Sequence, residues 1–318
     1  MKGILVFLLA ALPVPFHAAA TEAPNGSDPC SQAYEALPHG TILDLLDASA
    51  PDDRRARALA AYKRLATLDG CPEFGYTLAQ LYRHGTYLPG NPIKEQDLPR
   101  ARTLLLAMAE NGYLPAYADL AELEMRHANP REAMKWTQVY LYFTRTVAQD
   151  FAEDADDLLF QRTAYNGNLL ARVHMIWSRS RQYLPRKLIR EDLNDYLSTQ
   201  GSALPARVRE HQSGMHRRAS GQDIGTVSLV GDRKPCYVRL DGLGAASASW
   251  IIEVLPSGRT GRVVLESMVP HAEAAEAMKD CVGEYRFAEF EGEQSRTVRL
   301  HMLVGSTEGA SLLRQRRR

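Results

Sequence analysis

The chain has 318 residues, enough for two domains with separate cores. Its 38 basic and 38 acidic residues cancel, which removes any whole-chain electrostatic argument for nucleic-acid binding. A hydrophobic fraction of 45% and a charged fraction of 24% are ordinary for a globular protein, and no segment beyond the N-terminus is long and apolar enough to span a bilayer.

Residues 1–20 carry one positive charge at Lys2, an apolar run over 4–12 and the small triplet Ala18, Ala19 and Ala20. That layout predicts a secretory signal peptide cleaved after Ala20. The competing reading, a retained anchor, needs about 20 apolar residues, and Pro13 and Pro15 interrupt the run. The mature chain is therefore expected in the periplasm. Cysteines Cys30, Cys71, Cys236 and Cys281 form an even set, which in an oxidising compartment suggests disulfides. Three connectivities exist; the sequence-local one pairs Cys30 with Cys71 and Cys236 with Cys281. No zinc spacing and no Cys-x-x-Cys motif occurs.

Residues 21–40 read as an irregular lead-in. Helical periodicity covers 41–200. Residues 201–223, rich in Gly, Ser and basic side chains, read as a linker. Over 224–306 short Val-, Ile- and Leu-rich runs predict strands, with one helix at 270–282 between them. The basic tail 307–318 is expected to be disordered. The fold class expected is thus multidomain, an all-α superhelical repeat domain followed by a small α+β domain.

Within the helical half one phrase occurs twice. At an offset of 42, Gly70 matches Gly112, Leu78 matches Leu120, Ala79 matches Ala121 and Leu81 matches Leu123. Upstream the offset is 43, matching Ala58 with Ala101 and Ala66 with Ala109. Ala101, Leu105, Met108 and Ala109 recur at helical spacing and form one apolar face. Asn111 and Gly112 stop that helix, with Gly112 suited to a left-handed cap. Ala116, Leu120 and Leu123 then begin its partner. Such hairpins must stack to bury both faces.

The patterns "A-x-x-x-Y-x-x-L-A-x-x-x-G" from Ala58 and "A-x-x-x-L-x-x-M-A-x-x-G" from Ala101 resemble the Sel1-like repeat, a relative of the tetratricopeptide repeat. The loop 83–101 joins the two units, and Ala133 with Trp136 keeps part of a third. The resemblance covers roughly 41–160 and implies a curved array that binds protein segments. Tyr62, Tyr82, Tyr87 and Tyr117 are the candidates to line its groove, against the plainer reading of packing aromatics. Arg179, Arg181, Arg186, Lys187 and Arg190 read as a solvated face.

In the second half, Pro256, Ser257 and Gly258 mark a turn, across which Val254 is expected opposite Val263 or Val264. Ala274, Ala277, Met278 and Cys281 are expected to share the helix face that packs on the sheet. The order of elements, with Gly261, Val263, Ser267, Val282 and Phe287 in place, resembles the C-terminal domain of TonB-type energy transducers. The family's Trp-x-Phe-x-Pro is here "YRFAEF", and no long Pro-rich spacer is present. The resemblance implies partner binding by strand addition at a sheet edge, with 296–304 as the candidate edge and Arg296, Val298, Leu300 and Met302 as its candidate residues.

No phosphate loop, Gly-x-Ser-x-Gly or His-Glu-x-x-His motif occurs. The acidic run 153–157 lacks the pattern of a calcium loop. The expectation is a non-catalytic periplasmic adaptor or scaffold without small-molecule cofactor or nucleic acid, whose partner is a protein of the cell envelope, an outer-membrane transporter being one candidate. Two alternatives stand beside it: a membrane-anchored energy transducer, and an envelope hydrolase with an unrecognised site.

Overall fold

The computed structural model of the chain describes residues 32–33, 36–68, 72–150, 166, 169–178, 185–210, 230, 245–269 and 272–305. Helices come first: α1 (Thr41–Leu46), α2 (Asp52–Leu65), α3 (Pro72–His84), α4 (Leu98–Glu110), α5 (Leu114–Arg126), α6 (Pro130–Asp150) and α7 (Arg186–Gln200). Further helical stretches lie at 169–178 and 203–210. The remainder is β1 (Ala245–Val254), β2 (Thr260–Val269), α8 (Ala272–Gly283) and β3 (Arg296–Gly305). A mainly helical part is thus followed by a small antiparallel sheet.

Each helix from α1 to α7 packs on the next. The apolar face expected on α4 is buried at Ala101, Leu105, Met108 and Ala109. Asp97 starts that helix by accepting from the Arg100 amide at 3.0 Å, and Pro99 suits its first turn. Its end is set by Gly112 at φ +89°. There the Gly112 amide donates to Ala109 O at 2.9 Å and the Tyr113 amide to Met108 O at 3.1 Å, satisfying carbonyls that a helix end leaves open. On α5, Ala116, Leu120 and Leu123 are buried, as are Leu78, Ala79 and Leu81 on α3. Gly70 lies outside the described residues.

Loop 85–97 is tied to the end of α3. Asn91 Nδ2 donates to Leu81 O and Gly85 O, both at 2.8 Å. Gln96 Nε2 donates to Arg83 O at 2.6 Å.

Residues 203–210 correct the expected linker. They are helical, with Leu204 and Val208 buried. Two apolar residues four apart, within a run too short to show periodicity, were enough to seat one helical face. The seat is Gly112 itself, where a Cβ would meet Arg207 C and Val208 N at 2.7 Å.

The sheet order is β2-β1-β3. β1 is central, and its residues 246–252 are all buried. It packs α8 against one face and α1 on the other, while α3 reaches the sheet through β2. The turn has Gly258 at φ +71°. Across it, Ile252 opposes Val263 and Ile251 opposes Val264, whereas Val254 opposes Thr260. The expected pairing of Val254 with Val263 or Val264 is displaced because the turn is tight: the Leu255 amide donates to Arg259 O at 2.9 Å, which sets Val254 opposite Thr260. On α8 the buried positions are Ala275, Met278 and Val282. Cys281 is half-buried, so the sheet-facing stripe is shifted from the expected one; the side chains of Ala274 and Ala277 lie outside the description.

Replacing Gly112 with Ala combines a strained positive φ with a clash against the 203–210 backbone. We expect a loss of about 2 kcal/mol or more in urea unfolding, whereas Gly201→Ala, with open space around it, loses less.

Candidate functional site

Alternation along β1 places Ser247, Ser249, Ile251 and Glu253 on the side of the helices and Trp250 and Ile252 on the opposite side. Small polar residues on a central strand invite side chains from elsewhere to lie across them. Two register shifts in β2 supply these. Ser249 opposes Ser267 and Trp250 opposes Leu265, which leaves Glu266 as an extra residue; a second shift falls between Ile252 and Val254, where β2 again has one residue more. A bulge re-aims the side chains around it. Here one bulge directs Glu266 at α3 and the other directs Arg262 at α1.

Glu266 is fully buried. Thr77 Oγ1 donates to its Oε1 at 2.6 Å, and Arg299 of β3 donates through Nε to Oε2 at 2.7 Å and through Nη2 to Oε1 at 2.8 Å. Beside it, Tyr76 Oη and Ser267 Oγ lie 3.4 Å apart. Arg262 Nη1 donates to Asp44 of α1 at 3.1 Å, and its Nε donates to Glu253 at 3.2 Å. Ser295 also donates to Glu253, at 2.9 Å. Burial works against the charge on Glu253, but the hydrogen bonds from Arg262 and Ser295 together outweigh it and hold its carboxyl below the usual range.

The polar seam continues into the helices through α5, nearly all of which is buried. Asp119 accepts from Tyr76 Oη at 2.9 Å, Gln80 Nε2 at 2.8 Å and Arg83 Nη1 at 2.5 Å. Glu122 is held by both terminal nitrogens of Arg172. Glu124 accepts from Arg102 Nε at 2.6 Å. One helix therefore anchors three different partners by carboxylate–guanidinium pairs, the geometry in which buried charge is tolerated.

His84 ends the buried face of α3. Its side chain is fully enclosed, and neither ring nitrogen has a hydrogen-bond partner among the described residues. Burial first, then the charges of Arg83 and Arg126, push it well below its ordinary value of 6.5, so the imidazole is neutral at neutral pH.

The expected groove tyrosines separate sharply. Tyr62, Tyr82 and Tyr117 are buried and Tyr87 is 65% exposed. Tyr62 packs edge-on against Phe74 at 5.1 Å. Arg100 covers the ring of Tyr82 at 4.5 Å. Tyr117 donates to Ala109 O at 2.6 Å and stacks on Phe143. These three are therefore packing aromatics rather than groove residues, because each ring closes a gap between helices. Only Tyr87 of the four offers an exposed ring.

On β3, Arg296, Val298 and Leu300 are half-buried, and Arg296 lies over Phe290 at 4.1 Å. Met302 opposes Ala248 in the ladder; its side chain lies outside the description. Among the described residues β3 pairs with β1 alone; the strand-like runs expected at 226–230 and 236–240 lie, but for Val230, outside them. Cys281 is disulfide-bonded; Cys30, Cys71 and Cys236 lie outside the described residues.

Among the described residues no cluster of His, Cys, Asp and Glu is arranged to hold a metal, and no helix is long and apolar enough to cross a membrane. An open cleft between α6 and α7 is lined by Arg131, Glu132, Lys135, Asp192, Asp195 and Tyr196. Most of its charges are matched internally, Arg131 with Asp192 at 2.7 Å and Lys135 with Glu132 at 3.0 Å.

Asp119, Glu266, Arg83, Thr77 and Arg299 were not singled out from the sequence. The available signal was a charge inside an apolar run, "YADLAELE" for Asp119 and "VVLESMV" for Glu266. Comparison with protein-family models, characterised proteins and solved structures finds no match for this chain.

Removing one member of a buried pair strands the other. Asp119→Ala leaves Arg83 without its carboxylate and is expected to lower stability by about 3–5 kcal/mol in urea unfolding. The Asp119→Ala/Arg83→Met double variant should lose less than the sum of its single variants. For His84 the folded state resists protonation, so the unfolded chain binds more protons below pH 6.5. Stability contributed by neutral His84 is complete above that pH and declines as pH falls below it. Urea midpoints at successive pH values should show a shallower acid decline in His84→Met than in the wild type.

Proposed function

We propose that this chain is an exported, non-catalytic protein that acts in the periplasm as an adaptor or scaffold, binding another protein of the cell envelope. On this reading the helical part is an array of Sel1-like repeats and the sheet unit is akin to the C-terminal domain of TonB-type transducers. The partner adds an extended segment to the outer edge of β3.

The observation that carries the reading is that edge. β3 runs for 10 residues (Arg296–Gly305) and pairs along its whole length with β1. Among the described residues no strand covers its other side, where an edge strand offers a row of backbone donors and acceptors to one further strand. Export is supported by the signal-like N-terminus and by a disulfide at Cys281, since such bonds persist in oxidising compartments.

The test is photo-crosslinking in intact cells. A photoreactive residue at Thr297, an exposed position on β3, should yield a discrete adduct with one envelope protein. The same residue at exposed Glu191 on α7 should yield none. A protein that gives no adduct at Thr297, or identical diffuse adducts at both positions, does not work through this edge.

A further inference from the structure

Helix α2 buries Ala58, Tyr62 and Leu65 in the helical core. Its other face is exposed at Arg54, Arg57, Ala60, Lys63 and Arg64. Arg57, Ala60 and Arg64 follow one another at spacings of three and four, so they form one row along the helix, with Arg54 and Lys63 on its flanks. The two acids of this helix stand in its first turn, and both are matched. Arg57 meets Asp53 at 2.8 Å and Arg55 meets Asp52 at 3.6 Å. Arg55 belongs to the fold as well, since its Nη2 donates to Gly90 O at 2.6 Å. Arg54, Lys63 and Arg64 make no ion pair among the described residues. In a chain whose 38 basic and 38 acidic residues cancel, this is a local separation of charge.

The shape of the face restricts what can sit on it. It is the convex side of a single helix, and the methyl group of Ala60 lies between the two arginines of the row. A protein partner is held chiefly by aromatic and arginine anchors that fill pockets, and no aromatic side chain of α2 is exposed. A bilayer with anionic headgroups makes no such demand, because its phosphates rearrange around whatever cations arrive. An apolar group stands beside the cations. Leu68, in the turn after α2, is 43% exposed, and its amide donates to Leu65 O at 2.9 Å, which fixes the turn that carries it. Clustered Lys and Arg with an exposed leucine at their end suit the boundary between headgroups and acyl chains.

We propose that the exposed face of α2 rests on a membrane surface that contains anionic phospholipid, with Arg54, Lys63 and Arg64 on headgroup phosphates and Leu68 at the boundary beneath them. The contact is peripheral. It acts over about one Debye length and weakens as salt screens it. It is separate from the β3 edge and does not rest on the partner-binding reading.

The test is flotation of the full chain, as purified from cells, with vesicles of phosphatidylcholine alone and with vesicles containing about a third phosphatidylglycerol. At low salt the anionic vesicles should bind at least about tenfold more protein, and added salt should release it. Each cation at such a surface multiplies the partition by about five. The triple variant Arg54→Gln/Lys63→Gln/Arg64→Gln should therefore bind about a hundredfold less and show a shallower salt dependence. Arg186→Gln/Lys187→Gln/Arg190→Gln removes the same charge from exposed positions on α7 and should bind like the wild type. All six side chains are exposed, so urea midpoints should stay in place and folding does not confuse the comparison. Leu68→Ser should weaken binding without changing its salt dependence. Equal binding to the two kinds of vesicle overturns the proposal. So does an equal loss in both triple variants, which would mean attraction by the chain as a whole. Release from the vesicles by an equal concentration of inorganic phosphate would make this a small-anion site, and release by an acidic octapeptide would make it a protein contact; either overturns the membrane assignment. A failed crosslink at Thr297 leaves all of these outcomes unaffected.

Discussion

An ionised carboxylate taken out of water must meet a cation and hydrogen-bond donors at the same point, or the fold that encloses it is lost. Glu266 and Asp119 impose that condition on this protein. Glu266 lies fully buried on β2 and is satisfied from two directions, by Thr77 of α3 and by Arg299 of β3. Asp119 is satisfied by three side chains of α3. Helix α3 therefore stands between two buried acids, and its polar face is dictated by both. Non-directional apolar packing tolerates many helix orientations; the hydrogen bonds at Tyr76, Thr77, Gln80 and Arg83 admit few.

That condition explains the bulges in β2. A regular strand would place Glu266 and Ser267 on opposite faces. With Glu266 inserted as the extra residue, both reach the helices. The second shift does the same for Arg262, where Gly261 leaves room because a Cβ would meet the Glu253 carboxylate at 2.9 Å. The helical part and the sheet are thus joined by polar contacts, among them Thr77–Glu266, Tyr76–Ser267 and Asp44–Arg262. Interfaces of this kind specify one docking geometry more than they add stability.

The same accounting separates structure from function in the helical part. Tyr62, Tyr82 and Tyr117 belong to the core, and the carboxylates of α5 belong to its pairs. Among the described residues β3 pairs with β1 alone, and of the four tyrosines only Tyr87 keeps an exposed ring. On the proposed partner-binding reading such groups are what another chain would meet, because a group already satisfied has little to offer it.

Much of the architecture was legible in the sequence because it follows from local periodicity. The apolar face Ala101, Leu105, Met108 and Ala109, the cap at Gly112, the turn at Gly258, and the three described strands and the helix of the C-terminal unit are all set by neighbours within a few residues. Burial of the paired acids, the role of 203–210 as a packed helix, and the register of Val254 against Thr260 were decided only in three dimensions. A carboxylate in an apolar run reads the same whether it meets an arginine or a solvent molecule. Arg83 and Asp119 are 36 residues apart and Thr77 and Glu266 are 189 apart, so nothing local records that they meet. Periodicity carries the element and the face that it buries; which charge stands opposite another is a property of how the elements pack.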